Sequence, residues 1–203
     1  MLLNSILIPL GNPPTINGTI SPDEWEHAAI ESFADSSQLL LMQDGEFLYV
    51  GIRANDPGMI AANIFIQSGD EIFILHSSAA LGTAIYQQGE DGWQQTQNFT
   101  WQCRSTSLGD AAQAERNAFL QQEGWVAANG RMGTPNELEY QIKIPEQDFR
   151  LAAVFIHSTP PYEKVPWPAA LDDDCIRSTP GGFPMMMAFS TDRWGVLQFP
   201  KSD

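Results

Sequence analysis

Short apolar runs punctuated by turn residues dominate this chain, and helical spacing is rare. Residues 38–43 (QLLLMQ) and 46–54 (EFLYVGIRA) flank Asp44-Gly45. An Asp-Gly pair between apolar runs predicts a hairpin, ended by Asn55-Asp56-Pro57. Residues 71–76 predict another strand, and residues 82–88 one more, turning through Gly89 and Asp91-Gly92. From Trp93 to Arg104 every even position is polar. The period is therefore two, and the even face should meet solvent. Residues 110–122 are alanine-rich and free of proline, which predicts a helix capped by Asp110 and stopped by Gly124. Strands are expected at 124–129, at 137–145 with Leu138, Tyr140, Ile142 and Ile144 on one face, and at 151–157. Residues 160–184 are proline-rich and irregular, and residues 186–199 read as a closing strand pair around 191–195.

The opening segment is the most specific. Asn17-Gly18 is a turn signal, Ser21 and Glu24 stand at capping-box spacing, and Pro22 falls at a first helical position. A short helix is expected from Pro22, carrying Trp25, Ala28 and Ala29 inward. Many short strands, close turn signals and two helix signals predict an all-β, mainly antiparallel, two-sheet sandwich of immunoglobulin-like or jelly-roll type. With no internal repeat or low-complexity linker, a single domain over residues 1–203 is expected.

Composition narrows the partners. The net charge of -15 disfavours nucleic acid and anionic membrane. It reads as a solubility device or as an acidic rim for calcium. Cys103 and Cys175 are the two cysteines; they either pair or act as small buried hydrophobes, and the sequence leaves both open. The first ten residues lack a basic region and are broken by Asn4 and Pro9, so no signal peptide is expected, and no stretch is long enough to span a membrane. Asn17-Gly18-Thr19 and Asn98-Phe99-Thr100 fit the glycosylation pattern, which chance also produces.

Four ordered segments carry a family resemblance: Pro14 to Trp25, the hairpin from Leu39 to Asp56, Glu137 to Phe149 with its Glu-apolar-Ile-Pro ending, and Asp192 to Phe199 with Trp194-Gly195. In these the chain resembles family 9 carbohydrate-binding modules and their β-sandwich relatives, the DOMON-like domains. The resemblance implies a non-catalytic saccharide-binding module, free or accessory to a glycoside hydrolase, with a place in carbohydrate catabolism and outside the cytoplasm. Family members clamp a sugar between two tryptophans. The corresponding segments, 63–68 and 185–190, offer only Phe65 and Phe189, and Asp70 is followed three residues on by Phe73 rather than Glu.

Sugar recognition needs flat apolar faces with amides and carboxylates around them; an indole covering about 100 Å² contributes roughly 2.5 kcal/mol. Trp25, Trp101 and Trp194 are expected in the core. Trp93 beside a turn and Trp167 between two prolines are the ligand candidates, with Trp125 undecided and Phe189 in a family clamp position. Gln94, Thr96, Asn98 and Gln102 offer rim hydrogen bonds. Asp172-Asp173-Asp174 is the candidate calcium cluster, which three consecutive carboxylates do not complete alone. His27, His76 and His157 lack metal-ligand spacing, and no nucleophile motif, paired-cysteine metal motif or phosphate loop is present, so no catalytic residue is assigned. Two alternatives remain. DOMON-like relatives hold haem b, for which Met185, Met186 or Met187 would stand with Lys143 or His157; core filling is the plainer role. The other is an interaction scaffold with a protein partner.

Overall fold

The computed structural model describes residues 5–55, 58–101, 103, 109–130, 136–145, 149–157, 160–177 and 186–200. In chain order they form β1 (Ser5–Leu7), β2 (Ala29–Ser32), β3 (Gln38–Gln43), β4 (Phe47–Ala54), β5 (Ile60–Ser68), β6 (Glu71–Ser77), β7 (Leu81–Gly89) and β8 (Gly92–Gln97). Helix α1 (Asp110–Glu123) follows, then β9 (Trp125–Asn129), β10 (Asn136–Lys143), β11 (Phe149–His157), β12 (Lys164–Trp167), β13 (Met186–Met187) and β14 (Gly195–Gln198). The larger sheet runs β1-β14-β11-β5-β6-β7-β8-β13, with β12 also on β11; the smaller runs β2-β3-β4-β10-β9. Of these strand pairs only β1 with β14 is parallel. The protein is an all-β sandwich, as its pattern predicts.

Period two explains the inner layer. Leu138, Tyr140 and Ile142 of β10 face the larger sheet, as expected, with Leu39, Leu41, Val50 and Ile52 beside them. Tyr140 donates its hydroxyl to the Ala62 carbonyl at 2.9 Å, tying the sheets together. Asn129 does the same, donating to the Ile60 carbonyl and accepting from Ser77 Oγ.

The outer faces are covered too. The smaller sheet is roofed by the opening segment: Ile20 and Trp25 lie against Gly51, where a Cβ would press on both. Two carboxylates on the outward face of β10 fix this roof. Glu139, fully buried, accepts from the backbone N–H groups of Asn17, Gly18 and Thr19 and from the Trp25 indole, at 2.7–3.2 Å. Glu137 accepts from Ile20 N and from Arg53 Nε, which also donates through Nη2 to the Ile20 carbonyl. Gly18 has φ +84°, and a side chain there would overlap the Asn129 backbone. The larger sheet is roofed by residues 171–176 and 187–194, so β11 is buried on both faces and reads as a near-continuous apolar run from Leu151 to Ile156.

Several expectations need correction. The helix at Pro22 does not form. Ser21 O accepts from Glu24 N and Trp25 N for one turn only, and Glu24 accepts from Thr15 N instead of closing a capping box. The chain is then drawn into β2, which pairs with β3. Trp25 is nonetheless buried, as expected. Helix α1 forms, but its cap is Gly109; Asp110 is its first residue, and Gly124 ends it with φ 74°. The strand from Trp93 stops at Gln97, where a bulge shifts the register between Ile85 and Tyr86. Gln94, Thr96, Asn98 and Thr100 are exposed, as expected; Gln102 and Arg104 lie outside the described residues. The closing strands do not pair with each other: β13 joins β8, and β14 lies between β1 and β11. Residues 164–167, expected irregular, form β12, because β11 is free for pairing beyond the end of β14.

Burial pushes the Glu139 carboxyl up to about 7, and the four donors oppose this only in part. The folded protein therefore binds an extra proton between the ordinary value of 4.5 and about 7. The Glu139 contribution to stability falls as pH rises through that window and is level above it. Urea melts across this range should show that slope in the wild type and not in Glu139→Gln. Glu139→Ala, which strands the amides and the indole, should cost about 2–4 kcal/mol at neutral pH.

Candidate functional site

The structure puts all four aromatic candidates in the core. Trp93 lies on β8 and is 6% exposed, Trp167 ends β12 at 3%, Trp125 opens β9 at 2%, and Phe189 is 9% exposed. The expectation that Trp93 and Trp167 stand free on loops is thus corrected. Trp93 packs with Phe65, Tyr86, Phe189 and Trp194 under the C-terminal roof. Trp167 lies in the core between the sheets, against Gly195. The two family clamp positions do meet, with the Phe65 and Phe189 rings 6.1 Å apart, but Trp194 and Trp93 fill the space around them. Gln94 and Asn98 are exposed on β8 and just after it. Asn98 Oδ1 accepts from Phe99 N.

The acidic run has a different task from a convergent cluster. Asp173 accepts from Cys175 N and Ser190 N, Asp174 from Ala188 N, and Asp172 pairs with Arg193 at 2.6 Å. The three carboxylates staple residues 188–193 to the loop that follows β12. Among the described residues no three His, Cys, Asp or Glu side chains converge. The candidate haem ligands are spread: Met186 and Met187 lie on edge strand β13, Lys143 on the smaller sheet and His157 on the larger, while Met185 lies outside the described residues. Cys103 and Cys175 do not form a disulfide with each other; they are buried in separate clusters, one between the sheets and one under the C-terminal roof.

A cleft of about 410 Å³ opens at the side of the sandwich, where β6 and β7 meet α1 and β9. Its floor is apolar: Phe73, Leu75 and Ile85 on the inner face of the larger sheet, with Trp125 behind. Polar groups surround it, from Gln97 and Thr100 on one side to Gln122 and Glu123 on the other. Thr83 holds the back wall. Its Oγ1 accepts from the Trp125 indole at 2.9 Å and donates to Glu123 Oε2 at 3.3 Å. Gln97 Nε2 donates to the Thr83 carbonyl at 3.3 Å. The Trp125 ring is fixed between Phe119 of α1 and Tyr140 of β10. An apolar floor with polar groups at its margin is the usual form of a small-molecule site.

On the opposite face of the same sheet, Trp101 is 57% exposed and stacks on Phe99 with ring centroids 5.3 Å apart. Trp101 was expected in the core. The bulge and the end of β8 carry it outward over Gly82, where a Cβ would press on the indole at 2.9 Å. His76 meets the Trp101 ring edge-on at 5.1 Å. Its Nδ1 lies 2.7 Å from Asn63 Oδ1, an acceptor, which puts the ring proton on Nδ1. A glycine inside a strand was the sequence signal for this close approach.

No family model matches the chain, and no curated protein matches it. A solved structure from Bacteroides uniformis ATCC 8492, described provisionally as a carbohydrate-binding protein, is similar in fold. The identity is 10% and the TM-score 0.49, over 98% of this chain and 100% of that one. At that level the likeness says nothing of this chain's ligand. The protein is a two-sheet, mainly antiparallel sandwich with an amphipathic side cleft and an aromatic ledge.

Burial lowers the His76 pKa to about 4. The folded protein then binds fewer protons than the unfolded chain between the ordinary 6.5 and about 4. The contribution of neutral His76 is complete above pH 6.5 and is lost as pH falls through that window. A histidine proton titration by NMR should find this ring neutral at pH 5, and His76→Phe should flatten the acid limb of the melting curve.

Proposed function

We propose that the protein is a non-catalytic saccharide-binding module whose ligand sits in the side cleft. The observation that carries this reading is the cleft itself: about 410 Å³, open to solvent, with an aromatic and aliphatic floor and amide, hydroxyl and carboxylate groups around it. A pyranose lays its C–H face on Phe73, Leu75 and Ile85 and turns its hydroxyls to Gln97, Thr100, Gln122 and Glu123. Glycoside cleavage uses two carboxyl groups across the scissile bond. Among the described lining residues Glu123 is the one carboxylate, which favours binding over catalysis. The family motifs support the same class of ligand. A contact of this size, less the cost of immobilising the ligand, suits affinities between micromolar and millimolar. A bound calcium ion and an outside-the-cell setting stay with the family resemblance as proposals of lesser weight.

A second reading puts the sugar ring on the exposed Trp101 face instead. Titration of glucose, cellobiose and xylan oligomers, followed by tryptophan fluorescence, separates the two. In the cleft reading Trp125 reports binding, Gln97→Ala weakens it by about fivefold through one lost hydrogen bond, and Trp101→Ala leaves it unchanged. Loss of binding in Trp101→Ala alone moves the site to the ledge, and silence with every sugar at millimolar concentration removes the function.

A further inference from the structure

Glu123 stands where a carboxylate is least welcome. It is the last residue of α1, and the last turn of that helix carries no basic side chain. The C-terminal end of a helix is its negative pole, so a carboxylate there is repelled by the macrodipole. Glu123 is also half-buried, and its two hydrogen-bond donors are neutral: Gln122 Nε2 to Oε1 at 3.0 Å and Thr83 Oγ1 to Oε2 at 3.3 Å. Among the described residues it makes no ion pair. Lys143 lies beside Gly124 through a backbone hydrogen bond, but it belongs to the outward face of β10, away from the cleft. Among the described residues no lining side chain is cationic. The chain as a whole carries -15, so the field around the cleft also favours positive charge.

A bare metal ion is a poor match. One carboxylate does not make a cation cage, and Phe73, Leu75 and Ile85 would have no role. The occupant that uses both halves of the cleft has a compact ring with an apolar face, hydroxyl groups, and a single ammonium group. We propose that the ligand of the cleft is a saccharide bearing a free, protonated amino group, held with its ammonium on Glu123. This rests on the saccharide reading of the cleft and names the class of sugar. The ammonium supplies the positive charge that the helix end lacks, and Gln97 and Thr100 meet the hydroxyls on the far side.

Calorimetric titration of the whole chain at about pH 6, where such an amine is protonated, tests it with D-glucosamine, D-glucose, N-acetyl-D-glucosamine and cyclohexylamine. Glucosamine should bind about tenfold more tightly than glucose or the N-acetyl sugar, and the advantage should shrink as salt is raised. In Glu123→Gln the ratio of glucosamine to glucose affinity should fall to about one. The melting temperature of that variant should hold or rise, because an unfavourable charge has left the helix end. Glucose binding as tightly as glucosamine, a preference that survives Glu123→Gln, or cyclohexylamine matching glucosamine each overturns the amino-sugar assignment while leaving the cleft a ligand site. No response to any of the sugars overturns the saccharide reading itself.

Discussion

One buried carboxylate organises half of this molecule. Glu139 has no access to water, and its cost of burial is partly offset by donors brought from more than a hundred residues away in sequence. Three successive amides and an indole converge on it because Gly18 takes a left-handed turn that other residues resist. Glu137 and Arg53 extend the same network to Ile20. This network and the burial of Ile16, Ile20 and Trp25 together hold the opening segment across the smaller sheet, over Gly51 and Leu40.

The other roof uses the same chemistry in a looser form. Asp173 is 5% exposed and grips two backbone amides, and its neighbours on either side hold Arg193 and Ala188. Carboxylates thus fasten irregular backbone onto both outer faces. Acidic residues spent in this way are architectural, which changes how the charge of the chain reads: the acidic groups left for ligands are those that hold neither backbone amides nor a cation, Glu123 among them. Between the roofs, the side of the sandwich at β7 and β9 stays open because α1 covers only part of it.

The sequence was most legible where local chemistry decides. Asp44-Gly45 gave its hairpin, with Asp44 Oδ1 accepting from Glu46 N and Phe47 N, and alternation placed Leu138, Tyr140 and Ile142 inside. It misled where distant chain takes over. Trp93 and Trp167 have turn and proline neighbours, the ordinary marks of exposure, but the C-terminal roof and the Gly195 notch bury them. Glu137 and Glu139 alternate with apolar residues and so read as a wet face; their partners lie too far off in sequence for any local pattern to reveal. The bulge near Thr96 turned Trp101 outward against the period. Of the cleft lining, Trp125 stood among the ligand candidates and Phe73 only as a departure from the family strand; the overlooked clue was a glutamate closing a helix whose last turn has no basic side chain.

The parallel pairing of β1 with β14 sets Ser5–Leu7 beside Val196–Gln198. A ribosome delivers the first of these segments long before the second, so that edge of the sheet waits for about 190 further residues to emerge. Until then the β1 backbone has no ladder partner and β14's place against Arg150 and Leu151 stands empty. Nascent chains stalled before residue 195 would therefore carry a bare, sticky flank, and residues 195–198 act as the zip that seals it.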